Sequence, residues 1–309
     1  MLNYLLGLLA GVATPIQTSV NSKLRERIGS PYLTSIISFA GAIIIVLAVV
    51  AIIEGNFDIP FAEIAQKPLW IWLGGACGFF IVFSSVLAMP HLGSAMAVML
   101  LSFGQIMTGL VIDNWGFFDS PQVPFTMSRL IGAVLLIAGV ILISYIPSDG
   151  GEKKRYPLGY VLIATFGGVN CALQVAINGT LANVVGSGWK CTLVSMIIGT
   201  ATCITATLII FALKGKNGIF DNAGKGDFPL KAYMVTGGFF AFVIVASNSI
   251  TAPILGAGLV TVLNLIAQMS TGLVIDATGF LGIPKQKITA RKIIGVLTMV
   301  VGTAIIMFL

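Results

Sequence analysis

Thr108-Gly109-Leu110-Val111-Ile112-Asp113-Asn114-Trp115-Gly116-Phe117 returns 163 positions later as Thr271-Gly272-Leu273-Val274-Ile275-Asp276-Ala277-Thr278-Gly279-Phe280. Outward from this stretch the match continues at the same offset. Gln105 recurs as Gln268, Leu92-Gly93 as Leu255-Gly256, and Gly132 as Gly295. Gly74-Gly75 recurs as Gly237-Gly238, and Ser84 and Pro90 as Ser247 and Pro253. Nearer the N-terminus, Gly11, Gln17, Asn21 and Gly29 recur as Gly168, Gln174, Asn178 and Gly186, at an offset of 157. The difference fits a longer loop around 217–227 in the second half. Collinear matches of this extent mark an internal duplication.

The repeated unit is a membrane unit. Hydrophobic residues make up 57% of the chain and charged residues 9%, against roughly 25% charged in a soluble domain. Mean hydropathy is +1.02. A helix needs roughly 20 apolar residues to cross a bilayer. On that rule, spans fall at about 2–22, 31–53, 68–89, 92–112 and 129–146, then 157–180, 190–213, 231–252, 255–275 and 291–309. Residues 1–147 form the first five-helix unit, 148–156 a polar cytoplasmic linker, and 157–309 the second unit. Five is odd, so the second copy enters from the opposite side. The expected fold is an all-α integral membrane protein of ten transmembrane helices, two inverted five-helix repeats around a central cavity.

The charges orient it. Fourteen of the 17 Lys and Arg fall in alternate loops, including Lys23, Arg25 and Arg27, the 153–155 run, and Lys285 and Lys287. The positive-inside rule puts these loops in the cytoplasm and both termini outside. The net charge of +6 therefore reads as topology and contact with the lipid bilayer, not nucleic acid. Nothing resembles a basic–aromatic cluster. The N-terminus lacks the basic segment and cleavage pattern of a removed signal peptide, so the first helix is expected to be retained. Four cysteines without a C-x-x-C pair, and the single histidine His91, offer no metal site, disulfide framework or cofactor site.

Polar residues inside lipid turn inward. Thr14, Gln17, Thr18 and Asn21 share one helical face, as do Cys171, Gln174 and Asn178. Ser102, Gln105 and Thr108 form a third stripe, and Thr261, Asn264, Gln268 and Thr271 a fourth. Ser84 and Asn248 lie on helices three and eight. A long amide binds a solute as donor and acceptor without the desolvation cost of a charge. The expected cavity residues are Gln17, Asn21, Gln174, Asn178, Ser84, Asn248, Gln105, Asn264 and Gln268; the bland alternative is helix-to-helix bonding. For Ser and Thr the alternative is a bond to their own backbone.

No charged residue sits deep in a span. Asp113 and Asp276, at helix ends, are the coupling or gating candidates, with Arg129, Arg291 or Lys292 as ion-pair partners in the structural alternative. Pro15 is a candidate hinge in helix one. Gly132/Gly139 and Gly295/Gly302 point to close helix approach.

Gln105-x-x-Thr108-Gly109-Leu110-Val111-Ile112-Asp113-x-x-Gly116, and Asn21-Ser22-Lys23-Leu24-x-x-x-x-Gly29-Ser30, resemble the YdcZ-type branch of the drug/metabolite transporter superfamily. The resemblance covers nearly the whole chain. It implies a helical fold with a cavity between inverted repeats, and an export role at the cell (inner or plasma) membrane. The small multidrug relatives use a glutamate in the first helix, where this chain offers Gln17 and Gln174.

The leading expectation is a secondary active transporter of a small metabolite or drug-like solute, working by alternating access, with proton or ion coupling left open. It would be no enzyme, and a monomer or homodimer. The alternatives are a passive channel or facilitator, which saturable counterflow would exclude, and a membrane-embedded lipid-modifying enzyme, which clustered Asp, His or metal ligands would favour. No G-x-x-x-x-G-K-[ST] loop points to nucleotide-driven transport.

Overall fold

A computed structural model describes residues 1–120, 122–144, 157–220, 228–282, 285 and 288–308. The expected linker 148–156, its basic run and Lys287 lie outside the described residues. Among those described, ten helices run 18 residues or longer. They are α1 (Leu2–Ile28), α2 (Pro31–Ile53), α3 (Leu73–Leu92), α4 (Ser94–Trp115) and α5 (Met127–Ser144). After the linker come α6 (Leu158–Val185), α7 (Gly188–Lys214), α8 (Gly237–Leu255), α9 (Ala257–Thr278) and α10 (Ala290–Phe308). Seven of the regions they occupy are long and apolar enough to cross a membrane by length and composition. A shorter apolar helix, Met127–Leu142, lies within α5.

The same residues begin and end the helices in both halves. Ser30 caps α2, its Oγ accepting from Leu33 N–H at 3.2 Å. Its counterpart Ser187 caps α7, accepting from Lys190 N–H at 3.2 Å. One residue separates α3 from α4 and one separates α8 from α9: Gly93 at φ 78° and Gly256 at φ 79°. A β-carbon disfavours that conformation, so glycine is what permits so abrupt a reversal.

Helix α1 corrects a sequence expectation. It was expected to stop near residue 22, with Lys23, Arg25 and Arg27 in a loop, but it continues to Ile28. A basic run does not break a helix; at the C-terminal end it suits the helix dipole. The stop is Gly29, in the left-handed conformation, whose N–H donates to Arg25 O at 2.6 Å. Lys190 is buried in the first turn of α7, with its ammonium donating to Asn56 Oδ1 at 2.6 Å. His91 lies in the last turn of α3, and its ring stacks on Tyr160 with centroids 3.7 Å apart.

The packing crosses between the halves. α3 and α4 pack on α6, while α8 and α9 pack on α1; α5 packs on α10 and α2 on α7. The α5–α10 crossing rests on glycines. A β-carbon on Gly132 would come within 2.6 Å of Gly302 O, and one on Gly302 within 2.7 Å of Gly132 O. The pattern of burial is that of a membrane protein. Asn21, Ser38, Gln105, Asn178, Ser195 and Gln268 turn inward, while Ile44, Leu162, Ile197, Leu208 and Leu297 lie exposed on the outside.

Candidate functional site

Helices α1, α3, α4, α6, α8 and α9 meet around a central cavity, with Phe39 of α2 and Met196 of α7 completing its wall. Water can occupy about 50 Å³ of it, space for a few waters rather than a metabolite. None of the lining residues is charged.

Six of the nine expected residues line this cavity: Gln17, Gln105, Gln174, Asn248, Asn264 and Gln268. Gln17 Nε2 donates to Gly237 O at 3.5 Å, and Gln174 Nε2 to Gly74 O at 3.1 Å. The two bonds are repeat images: each glutamine reaches the first turn of a helix in the other half. Gln268 Nε2 donates to Ser102 Oγ at 3.4 Å, joining α9 to α4. Asn264 Nδ2 donates to Asn248 Oδ1 at 2.9 Å. Asn264 Oδ1 is buried and accepts no hydrogen bond from the described residues.

Asn21, Asn178 and Ser84, expected in the cavity wall, lie elsewhere. Asn21 Nδ2 donates to Ser38 Oγ at 3.3 Å, and Asn178 Nδ2 to Ser195 Oγ at 3.1 Å. Their Oδ1 atoms lie against Gly237 and Gly74. Each Asn sits one helical turn beyond a cavity glutamine, where its stripe is already covered by α8 or α3. Ser84 Oγ donates to the Phe80 carbonyl of its own helix. Thr14 and Thr18 bond Ala10 O and Thr14 O in the same way, the local competition expected of these residue types. The serines that hold the two asparagines were missed. Their signal was available, since Ser38 and Ser195 stand at the same 157-residue offset as the asparagines.

Asp113 pairs with Arg129 at 3.4 Å, and Asp276 with Lys292 at 3.5 Å. Both tie a long helix to the next, α4 to α5 and α9 to α10. They differ in burial: Asp113 is 18% exposed and Asp276 0%. Asp113 also lines a second, smaller and largely apolar cavity with Thr261 and Thr303. Helix α1 runs unbroken through Pro15, whose carbonyl accepts from Ser19 Oγ at 2.7 Å.

A tight turn follows α4, and another follows α9. Phe118 (φ 61°) and Leu281 (φ 58°) are repeat-related residues with left-handed backbone. Thr180 Oγ1 on α6 donates to Phe118 O at 2.6 Å, and Trp70 packs edge-on against the Phe118 ring at 5.2 Å. On the other turn, Tyr233 Oη donates to Leu281 O at 3.5 Å.

An all-helical body with an apolar exterior and an uncharged, amide-bearing cavity at its centre marks a multi-pass membrane protein. The family described as "Putative inner membrane exporter, YdcZ" matches the chain over residues 2–142 and again over 159–305. The chain belongs to this family. The inner membrane protein YdcZ of Escherichia coli (strain K12) is 23% identical over 139 residues, which are 44% of this chain and 89% of that protein. A solved crystal structure superposes with a TM-score of 0.63, covering 97% of this chain and 94% of the other at 16% identity. At that identity the likeness is one of fold.

Proposed function

We propose that the protein is a secondary active transporter that carries a small solute by alternating access. In this reading all ten long helices cross the bilayer as two inverted five-helix repeats, residues 1–147 and 157–309, with both termini outside. The cavity amides bind the solute. Pro15 lets α1 bend, and Asp113 and Asp276 gate or couple at opposite faces.

The observation that carries this reading is the amide-lined cavity at the seam between the halves. Its wall comes from both halves, in repeat-related pairs such as Gln17 with Gln174 and Gln105 with Gln268. An inverted pair offers two nearly equivalent states, one open to each face, and rocking one half on the other exchanges them. The cavity is too small for a metabolite as it stands, which fits an occluded state between the two.

The test is counterflow in proteoliposomes. A trapped unlabelled solute should drive transient uptake of the same labelled solute, and Gln17→Ala or Gln174→Ala should abolish it while leaving a monodisperse protein. Linear, non-saturating flux without counterflow would mark a passive facilitator and overturn the proposal.

A further inference from the structure

The cavity wall is nearly two-fold, with three residues outside its symmetry. Gln17 pairs with Gln174, Gln105 with Gln268, Ile81 with Ile244 and Val82 with Val245, all of them in the wall. Val175, whose counterpart is Thr18, falls outside this pairing, and so do Asn248 and Asn264. Their repeat counterparts, at the 163-residue offset, are Ser85 and Leu101, which are buried outside the wall. One side of the chamber therefore carries an amide pair that the other side lacks.

That pair is incompletely satisfied. Asn264 gives its Nδ2 hydrogen to Asn248 Oδ1 at 2.9 Å, which holds the side chain in place. Its own Oδ1, on a residue 5% exposed, accepts nothing from the described residues. A buried acceptor without a donor is costly, and native proteins leave few of them. This one is in the cavity wall, on a side chain fixed by its neighbour, which is how a site is built for an incoming donor. The solute's charge follows from the lining. No ionised side chain stands in the wall to repay the desolvation of a charged solute.

We propose that Asn264, held by Asn248, is the selectivity anchor of the cavity, accepting an O–H or N–H from an uncharged solute. The proposal rests on the transporter reading for the opening that admits a solute, and on the cavity lining for its chemistry.

Cys171 lines the same cavity and serves as a native reporter. Its alkylation by N-ethylmaleimide is followed by mass spectrometry in the solubilised full chain. Four probes share one ring: nicotinamide, methyl nicotinate without an N–H, the nicotinate anion and the 1-methylnicotinamide cation. Nicotinamide should slow Cys171 labelling roughly tenfold when present at ten times its Kd. Methyl nicotinate should bind at least about tenfold more weakly, and the two ions should give no protection.

Asn264→Leu installs the residue its repeat counterpart already carries, and should erase the difference between amide and ester. If that variant does not give a monodisperse protein, Asn248→Ser serves in its place. It unfastens the anchor and should narrow the ratio. Equal protection by amide and ester in the wild type would overturn the proposal. So would protection by an ion, no protection by nicotinamide, or an unchanged ratio in the variants. Flux of labelled nicotinamide in proteoliposomes separates the two readings. Protection without carriage leaves the anchor standing and removes the transport. Carriage at a rate that Asn264→Leu leaves unchanged removes the anchor and keeps the transport.

Discussion

At Gly237 the Oδ1 of Asn21 occupies the place a β-carbon would need, and at Gly74 the Oδ1 of Asn178 does the same. A glycine on one half thus receives an amide from the other, twice. Gly237→Ala should cost about 1–3 kcal/mol by overpacking, seen as a lower midpoint in thermal unfolding in detergent. In an Asn21→Ala background the same substitution should cost much less; an equal cost would show that the amide is not what it meets. The ion pairs give a second prediction. Asp276 is fully enclosed, so Asp276→Asn leaves Lys292 buried without its charge partner and should cost about 3–5 kcal/mol. Asp113 is partly open, so Asp113→Asn should cost less. Asp276→Asn with Lys292→Met should recover most of the loss, and equal costs at both sites would refute the ranking. The spacing of amides along each helix was enough to find Gln17, Gln174, Gln105 and Gln268. It could not separate them from Asn21 and Asn178, because which turn of a stripe another helix covers is decided only when helices cross.

Among the elements, the seam between α5 and α10 is the most constrained. Gly132 and Gly302 each touch the other's carbonyl region, and Gly139 lies against Gly295 O and Met299. Gly132→Leu should separate the two helices and lower the unfolding midpoint sharply. Gly159→Leu, at a glycine with open space around it, should change it little; comparable losses would count against a packed seam. The repeated glycines at seven-residue spacing made this contact legible in advance. The end of α1 was harder to read. Hydropathy falls at Lys23, yet the chain keeps its helix until Gly29 supplies a conformation that stops it. A charge ends the apolar run, not the backbone hydrogen bonding, so hydropathy alone stopped the helix too early.

For the molecule as a whole, the duplication made the helix count legible. An odd number of helices per copy, together with one-sided basic loops, is what the proposal of opposed halves and outward termini rests on. That orientation predicts that a cysteine at Asn3 reacts with an impermeant maleimide on intact cells. Labelling only after permeabilisation would reverse the topology. What repetition could not supply is the departure from symmetry. Nothing in the duplicated pattern marks Asn264 as special, because its counterpart Leu101 belongs to the packed core. The difference acquires meaning only when both copies close around one space.

The bond from Gln17 to Gly237 joins residues 220 positions apart, and that from Gln174 to Gly74 spans 100. A ribosome adds about 5–20 residues per second, so α1 waits roughly 10–40 s before its acceptor exists. During that interval the newborn helix sits in lipid with an amide that has no native destination. Assembly therefore depends on whatever shelters α1 during synthesis, water or the insertion machinery, until the second half arrives to release it.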